Sequence, residues 1–310
     1  MSLPASVRRP TDVDLSVRIG SVSLKNPVLA ASGTFAYGVE FAHLVDLNSL
    51  GGIVVKGLSI TPMEGAPAPR MCETAGGIMN AVGLQNIGVK AFVSEKLPQL
   101  RKYDTVIVAN VFGQEVADYA EVVRVLEDAE GVAAYELNIS CPNTDRGGAE
   151  FGADPKPATE VVSAARKVAK RPLWVKLSPN SRIGEIAKAV VEAGADALTV
   201  ANTYPAMSLD PLSGRSRLGR LSGGLSGPAI RPLSLRLVYD VHRTVSVPII
   251  GVGGVESCLD AIEYLAAGAT AIQVGTAHFS NPRASEEVVQ GLRNMNIDLK
   301  SLYMNSIREI

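Results

Sequence analysis

Three cysteines and three histidines among 310 residues leave little material for a thiolate or imidazole metal centre, and none is expected. Cys72, Cys141 and Cys258 are odd in number and widely separated, which argues against a disulfide framework. They are also too few for this chain alone to hold a four-cysteine iron–sulfur cluster. Charge of one sign is equally scarce. Thirty lysines and arginines against 31 aspartates and glutamates give a net charge of −1, interspersed along the chain. That balance provides no basic footprint for nucleic acid and no polybasic patch for a membrane surface, so a small-molecule partner fits better. No apolar run approaches the roughly 20 residues of a membrane span. The opening MSLPASVRRPTDVDLSVRIG lacks the apolar stretch of a secretory signal, so the expected location is cytoplasmic.

What the sequence does contain is apolar, 46% hydrophobic against 20% charged, enough to bury a large core. Eight short runs rich in Val and Ile recur: 27–31, 52–56, 105–111, 134–139, 173–177, 197–201, 247–252 and 271–275. Segments with helical spacing of apolar residues, at 115–129, 157–170, 183–193, 228–244 and 256–267, separate most of them. Alternating strands and helices of this kind build a parallel sheet covered on both faces. The expected fold is an α/β (β/α)8 TIM barrel, one domain over residues 1–310, with long active-site loops at the C-terminal face of the strands. An open doubly wound sheet is the rival, but GVGGVE at 251–256 comes too late and spaces its glycines wrongly for the dinucleotide fingerprint. The barrel also explains why nearly every run ends in glycine or a polar residue, because in a barrel those ends converge on one face. Three connections are long, 57–104, 140–156 and 203–227, and are read as lids over that face.

Several residue groups at the predicted face could do chemistry. The glycines of GVGGVES and VGTAHF follow the last two strands, where barrels often bind phosphate through closely approaching backbone N–H groups; tight turns alone are the alternative. Lys56 and Lys176 each close an apolar run and point into the barrel mouth, toward either an anionic ligand or a structural partner such as Glu136. A flavin mononucleotide would use both features, a phosphate site and a cation beside the reduced ring. Asn80, Asn110, Asn138, Asn143 and Asn202 offer donors and acceptors without charge, suited to a planar ring of alternating N–H and C=O groups, although each alone could be a turn residue. Cys141 follows a strand in ELNISCPNTDRGG and enters a polar loop, where a thiol can serve as nucleophile or base. A Cys–His hydrolase would have to recruit His278 through folding. A non-redox phosphate-binding barrel and a barrel retained only as a binding scaffold remain open on these residues.

NISCPN, NAVGLQN, VKLSPN, SGPAIRPLSLRLV, GVGGV and VGTA occur in order from LKNPVLAASGTFAYG to AIQVGTAHF, nearly the whole chain. With them the sequence resembles the class 1 dihydroorotate dehydrogenases, specifically the NAD-linked B type catalytic subunit of pyrimidine biosynthesis. SGTFAYG and EGAPAPRMCETAGGIMNAVGLQN look like the B type rather than the fumarate-linked A type. The resemblance implies FMN held at Ser32, Lys56, Gly57, Asn110, Asn138, Lys176, Ala201, Gly227, Gly253, Gly254, Gly275 and Thr276. It implies dihydroorotate or orotate held at Lys56, Asn80, Ala81, Val82, Gly83, Leu84, Asn138, Asn143, Asn202 and Thr203. Cys141 matches the catalytic base, removing the C5 proton while hydride leaves C6 for flavin N5. A relative acting on dihydrouracil, which lacks the carboxylate, is the nearest redox alternative. The resemblance further implies a partner subunit carrying FAD and a 2Fe–2S cluster that reduces NAD, with this chain as a homodimer inside a heterotetramer. The tail NMNIDLKSLYMNSIREI matches no motif of use.

Overall fold

The computed structural model describes residues 13–139 and 151–295. In chain order its strands are β1 (Val17–Ile19), β2 (Val22–Leu24), β3 (Val28–Ala30), β4 (Gly52–Val54), β5 (Met71–Thr74), β6 (Gly77–Asn80) and β7 (Val106–Val111). There follow β8 (Ala134–Asn138), β9 (Leu173–Leu177), β10 (Ala197–Val200), β11 (Tyr204–Ala206), β12 (Gly223–Ser226), β13 (Ile249–Val252) and β14 (Ala271–Val274). Eight of them close into a parallel barrel in the order β10-β13-β14-β3-β4-β7-β8-β9. These eight are the runs read from the sequence, with ends that differ by no more than two residues. Runs apolar on both faces have to be buried on both faces, and the barrel does this by filling its inside with side chains and covering its outside with helices.

Helices Val116–Glu127, Pro155–Arg166, Ile183–Glu192, Arg231–His242 and Cys258–Ala266 fall where the helical spacing predicts them. Each buries one apolar stripe, as Val161, Val162 and Ala165 do on Pro155–Arg166. Helix Cys258–Ala266 starts where it does because Ser257 and Asp260 form a reciprocal capping box, each side chain accepting from the other's backbone N–H. Two helices were not anticipated. Ala284–Asn294 buries Val288, Val289 and Leu292, a spacing legible in the sequence but short of the strands that framed the other helices. Residues 89–100 form a helix with a central π segment, Phe92–Lys96, inside what the sequence presents only as a long connection.

The long connections differ from three separate lids. β5 and β6 from the first, with β11 and β12 from the third, pair into a four-stranded antiparallel sheet in the order β11-β12-β6-β5. Residues 140–150 of the second lie outside the described residues. Among the described residues no helix is long and apolar enough to cross a membrane.

Two fully buried groups show how the core is used. Trp174 on β9 is completely enclosed. It shares a face with Lys176 two residues on, and Lys176 faces the barrel mouth, so the indole fills the barrel interior below the lysine. His278, the imidazole considered above as a partner for Cys141, is 2% exposed and packs against Phe35 with ring centroids 4.6 Å apart. Its Nε2 shares a hydrogen bond with Ser285 Oγ at 2.8 Å. Burial pulls its pKa down to about 4, so it is a neutral packing residue at physiological pH and no base.

Two outcomes are expected. The folded-state value of His278 lies below the ~6.5 of a free imidazole, so the unfolded chain takes up this proton first as pH falls. The contribution is therefore complete above ~6.5 and is lost between there and about 4. Urea unfolding of wild type at pH 7 and pH 4.5 should show a loss larger by ~2 kcal/mol than that of His278→Gln, which cannot titrate. Trp174→Ala should cost roughly 3–5 kcal/mol in the same assay, through the cavity left inside the barrel.

Candidate active site

The C-terminal ends of the barrel strands open into one cleft of about 1130 Å³ measured out to its rim. Ser32 after β3, Lys56 and Gly57 after β4, Asn110 in β7, Asn138 ending β8 and Lys176 in β9 all line it. So do Ala201, Asn202 and Thr203 after β10, Gly253 and Gly254 after β13, and Gly275 and Thr276 after β14. Asn80, Val82 and Leu84 reach the same cleft from the segment that leaves β6.

Three of the residues singled out from the sequence do not line it. Ala81 is fully buried in a small cluster with Met79 and Leu218. Gly83 turns the chain at φ +71°, where a Cβ would lie 2.5 Å from Ala66 N. Gly227, at φ +101°, lets the backbone pass Gly77, whose Cα would be 2.7 Å from an added Cβ. At the two glycines the missing Cβ lets the chain turn and pass closely beside the cleft. Cys141 and Asn143 lie outside the described residues. Conversely, Met71, Gln85 and Phe279 line the cleft; Met71 opens the short strand β5 and Phe279 ends a 3-10 turn, and neither stands in a periodic apolar pattern in the sequence. Gln85 was within reach, since it belongs to the NAVGLQN motif.

The electrostatics of the cleft are dominated by its two lysines. Lys176 is 6% exposed and makes no ion pair with Glu136 or with any other described carboxylate, Glu136 accepting from neutral side chains instead. Lys56 likewise has no ion pair among the described residues; Glu40, the carboxylate that acts on it electrostatically, is bridged to Lys96 at 2.9 Å. Burial, and then the nearby Arg70 guanidinium, hold the Lys56 ammonium below its usual pKa. Arg70 itself is tied up by Ala66 O at 2.6 Å, Glu64 O at 2.9 Å and Gln85 Oε1 at 2.8 Å. Two partly desolvated cations without an ion-pair partner among the described residues make the cleft a site for negative charge.

Glu136 has its own partners. Completely buried, it accepts from Asn110 Nδ2 through Oε1 at 2.8 Å, and through Oε2 from Thr199 Oγ1 at 2.7 Å and Gln273 Nε2 at 2.6 Å. With its NH2 committed to Glu136, Asn110 is left with a buried carbonyl oxygen that has no partner. Asn110 lines the cleft, and a buried acceptor without a partner at such a wall is accounted for by a ligand donor. Nearby, Asn202 Nδ2 donates to Asn138 Oδ1 at 3.3 Å, and Asn202 Oδ1 accepts from Thr203 N at 2.8 Å, fixing these amides relative to one another.

At the opposite wall the chain after β13 turns on Gly253 and Gly254. Gly254 sits at φ +68°, and a Cβ there would fall 2.8 Å from both Gly227 O and Arg231 Cβ. Tyr264 supports the turn from below, its hydroxyl donating to Gly253 O at 2.6 Å. With Gly275 and Thr276 beside it, this wall presents backbone rather than side chains, the surface a phosphate group needs. Among the described residues no group of three or more His, Cys, Asp or Glu side chains is arranged to hold a metal ion.

A family model described as "Dihydroorotate dehydrogenase" matches residues 14–295. A protein of Solibacter usitatus, provisionally named dihydroorotate dehydrogenase A (fumarate), is 57% identical over 90% of this chain and 92% of its own length. The dihydroorotate dehydrogenase B (NAD(+)) catalytic subunit of Trichlorobacter lovleyi is 52% identical over 90% of this chain and 92% of its own. The protein of the same name from Thermodesulfovibrio yellowstonii is 49% identical over 94% and 97%. With the barrel, its cleft and these matches spanning nearly its whole length, the chain belongs to the dihydroorotate dehydrogenase family.

Proposed function

We propose that this chain oxidises (S)-dihydroorotate to orotate in de novo pyrimidine synthesis, with FMN as its resident cofactor. One observation carries the reading: a single cleft joins two lysines that pair with no carboxylate among the described residues, an unsatisfied Asn110 carbonyl and a glycine-walled turn. The residues fit a flavin mononucleotide. The backbone of Gly253, Gly254, Gly275 and Thr276 would receive the phosphate, while Asn110, Asn138 and Lys176 would meet the polar edge of the ring. When bound, FMN supplies the acceptor for the hydride leaving C6 of the substrate.

The chain's own residues supply the remainder. Lys56 would offset the substrate carboxylate, and this selects dihydroorotate over uncharged dihydropyrimidines. Asn80, Asn138 and Asn202, with Asn143 by its motif, would grip the N–H and C=O groups of the ring and hold C6 toward the cofactor. Cys141, assigned from NISCPN in the sequence, would remove the C5 proton. His278 takes no part, being buried away from the cleft and neutral.

The names of the Trichlorobacter and Thermodesulfovibrio relatives support an NAD-linked B type enzyme, whose electrons would leave through a partner subunit carrying FAD and a 2Fe–2S cluster. The Solibacter name favours a second reading that differs only in the oxidant, fumarate used directly. Fumarate-dependent turnover by the isolated chain would support the second; NAD reduction that needs an added FAD and iron–sulfur subunit would support the first.

The decisive experiment is an anaerobic absorbance spectrum of the purified protein. A flavin band that bleaches on adding dihydroorotate is expected, and absence of flavin after reconstitution with FMN would sink the proposal. Lys56→Ala should raise the KM for dihydroorotate by ~10- to 100-fold, the worth of a charge-assisted hydrogen bond. Because the Lys56 pKa is lowered, its charge is lost as pH rises at values below the ordinary ~10.4. KM should therefore climb on the alkaline side below that value, and Lys56→Arg should move the climb upward. Cys141→Ser should slow anaerobic flavin reduction at least ~100-fold and shift its pH dependence upward from the ~8.5 of a thiol. Reduction at the wild-type rate and pH profile would show the base to be another group.

A further inference from the structure

Glu136 belongs to no ligand set named so far, yet it governs one. Three donors converge on its carboxylate, and two of them are side-chain amides, Asn110 and Gln273. A carboxylate accepts and cannot donate, so each amide has to turn its NH2 toward Glu136 and its carbonyl oxygen away. The consequence is visible at both residues: Asn110 Oδ1 and Gln273 Oε1 are buried without a hydrogen-bond partner. Gln273 is fully buried and does not line the cleft, whereas Asn110 does. The same constraint thus leaves both oxygens buried without a partner, one of them on a residue of the cleft wall.

From this we infer that Glu136 is a positioning residue that fixes the polarity of the Asn110 amide, so that the cofactor meets an acceptor and never a donor at that position. The inference rests on the FMN reading given above. An uncharged amide at position 110 could otherwise present either end, and a flipped Asn110 would oppose N–H to a ligand donor. Glu136 removes that choice before the cofactor arrives. The geometry leaves little slack at the same spot: an added Cβ on Gly57 would lie 2.9 Å from Asn110 Oδ1.

The test exchanges the two functional groups. In Glu136→Gln a donor can face position 110, and the Asn110 amide can turn its NH2 into the cleft. In the double variant Glu136→Gln with Asn110→Asp, the new carboxylate offers oxygen in both directions and restores the acceptor. FMN titration of the apoproteins, followed by flavin fluorescence, should show binding weakened by ~10-fold or more in Glu136→Gln and recovered to within ~3-fold in the double variant. Melting temperatures are recorded in parallel, since a purely structural role would make affinity follow stability with no recovery.

Wild-type affinity in a folded Glu136→Gln, or a folded double variant no tighter than the single, would overturn the inference. If Glu136→Gln does not fold, hydrogen exchange of the Asn110 side-chain amide in wild-type apoprotein decides instead, its signal identified by its loss in Asn110→Ala. Slow exchange supports an NH2 held against Glu136, and exchange as fast as that of a solvent-facing asparagine overturns it. Wild-type protein that binds no FMN would count against the FMN reading alone, and the exchange measurement would still decide the orientation.

Discussion

A buried carboxylate in the middle of a barrel is costly unless every oxygen is engaged, and the inside of this barrel is arranged around meeting that cost at Glu136. In the closed strand order β8 and β14 are four places apart, on opposite sides of the ring. The bond from Gln273 to Glu136 therefore spans the interior, while Asn110 reaches it from the neighbouring β7 and Thr199 from β10. Four strands are tied to one point, with register set by hydrogen bonds of charge-assisted strength. Trp174, paired with Glu136 across β8 and β9, adds apolar surface to the interior, and the cleft begins above it.

That division explains why Lys176 can be so deeply placed without a carboxylate of its own. Glu136, the partner the sequence offers, accepts from three neutral donors instead, and Lys176 makes no ion pair with a described carboxylate. Lys56 is in the same position for a different reason, its neighbour Glu40 being held by Lys96. Had either carboxylate paired with a cleft lysine, the positive character of the mouth would be largely cancelled before any ligand arrived. The polar interior thus does two things at once: it locks the strands, and it keeps the cations of the mouth available.

Much of this was legible in the sequence because period and position were enough. Runs such as IVV before Lys56 and LWV before Lys176 announce strands buried on both faces, and the polar residue closing each run announces the mouth. The choice between partners for Lys176 was not legible, because Glu136 could serve either as its counter-ion or as something else until the positions of Thr199 and Gln273 were known. Both of those residues sit one turn of the pleat inside strands that read simply as apolar. His278 shows the converse limit: a histidine near a predicted active face is a reasonable base until its burial against Phe35 is seen. Met71 and Phe279 were invisible for want of any periodic context. The hairpin strands were missed because weakly alternating, glycine-rich stretches such as GGIMN and SGGLSG carry little strand signal of their own and pair only with each other.

Those missed strands decide how the far wall of the cleft is built. Asn80 at the end of β6 and Thr203 just before β11 come from connections far apart in sequence, yet both line the cleft. β12 links them: Gly224 pairs with Asn80 on one side and with Pro205 on the other. Asn80 Nδ2 donates to Gly224 O at 3.3 Å. A side chain at Gly224 could not be accommodated, since its Cβ would lie 2.0 Å from Thr203 Oγ1. The glycine is thus where the strand passes directly over the threonine, and the close approach fixes the two polar residues relative to each other. Independent loops could not do this, because each would carry its own freedom into the cleft. A paired sheet moves, if it moves, as one body, presenting Asn80 and Thr203 to a bound ring together.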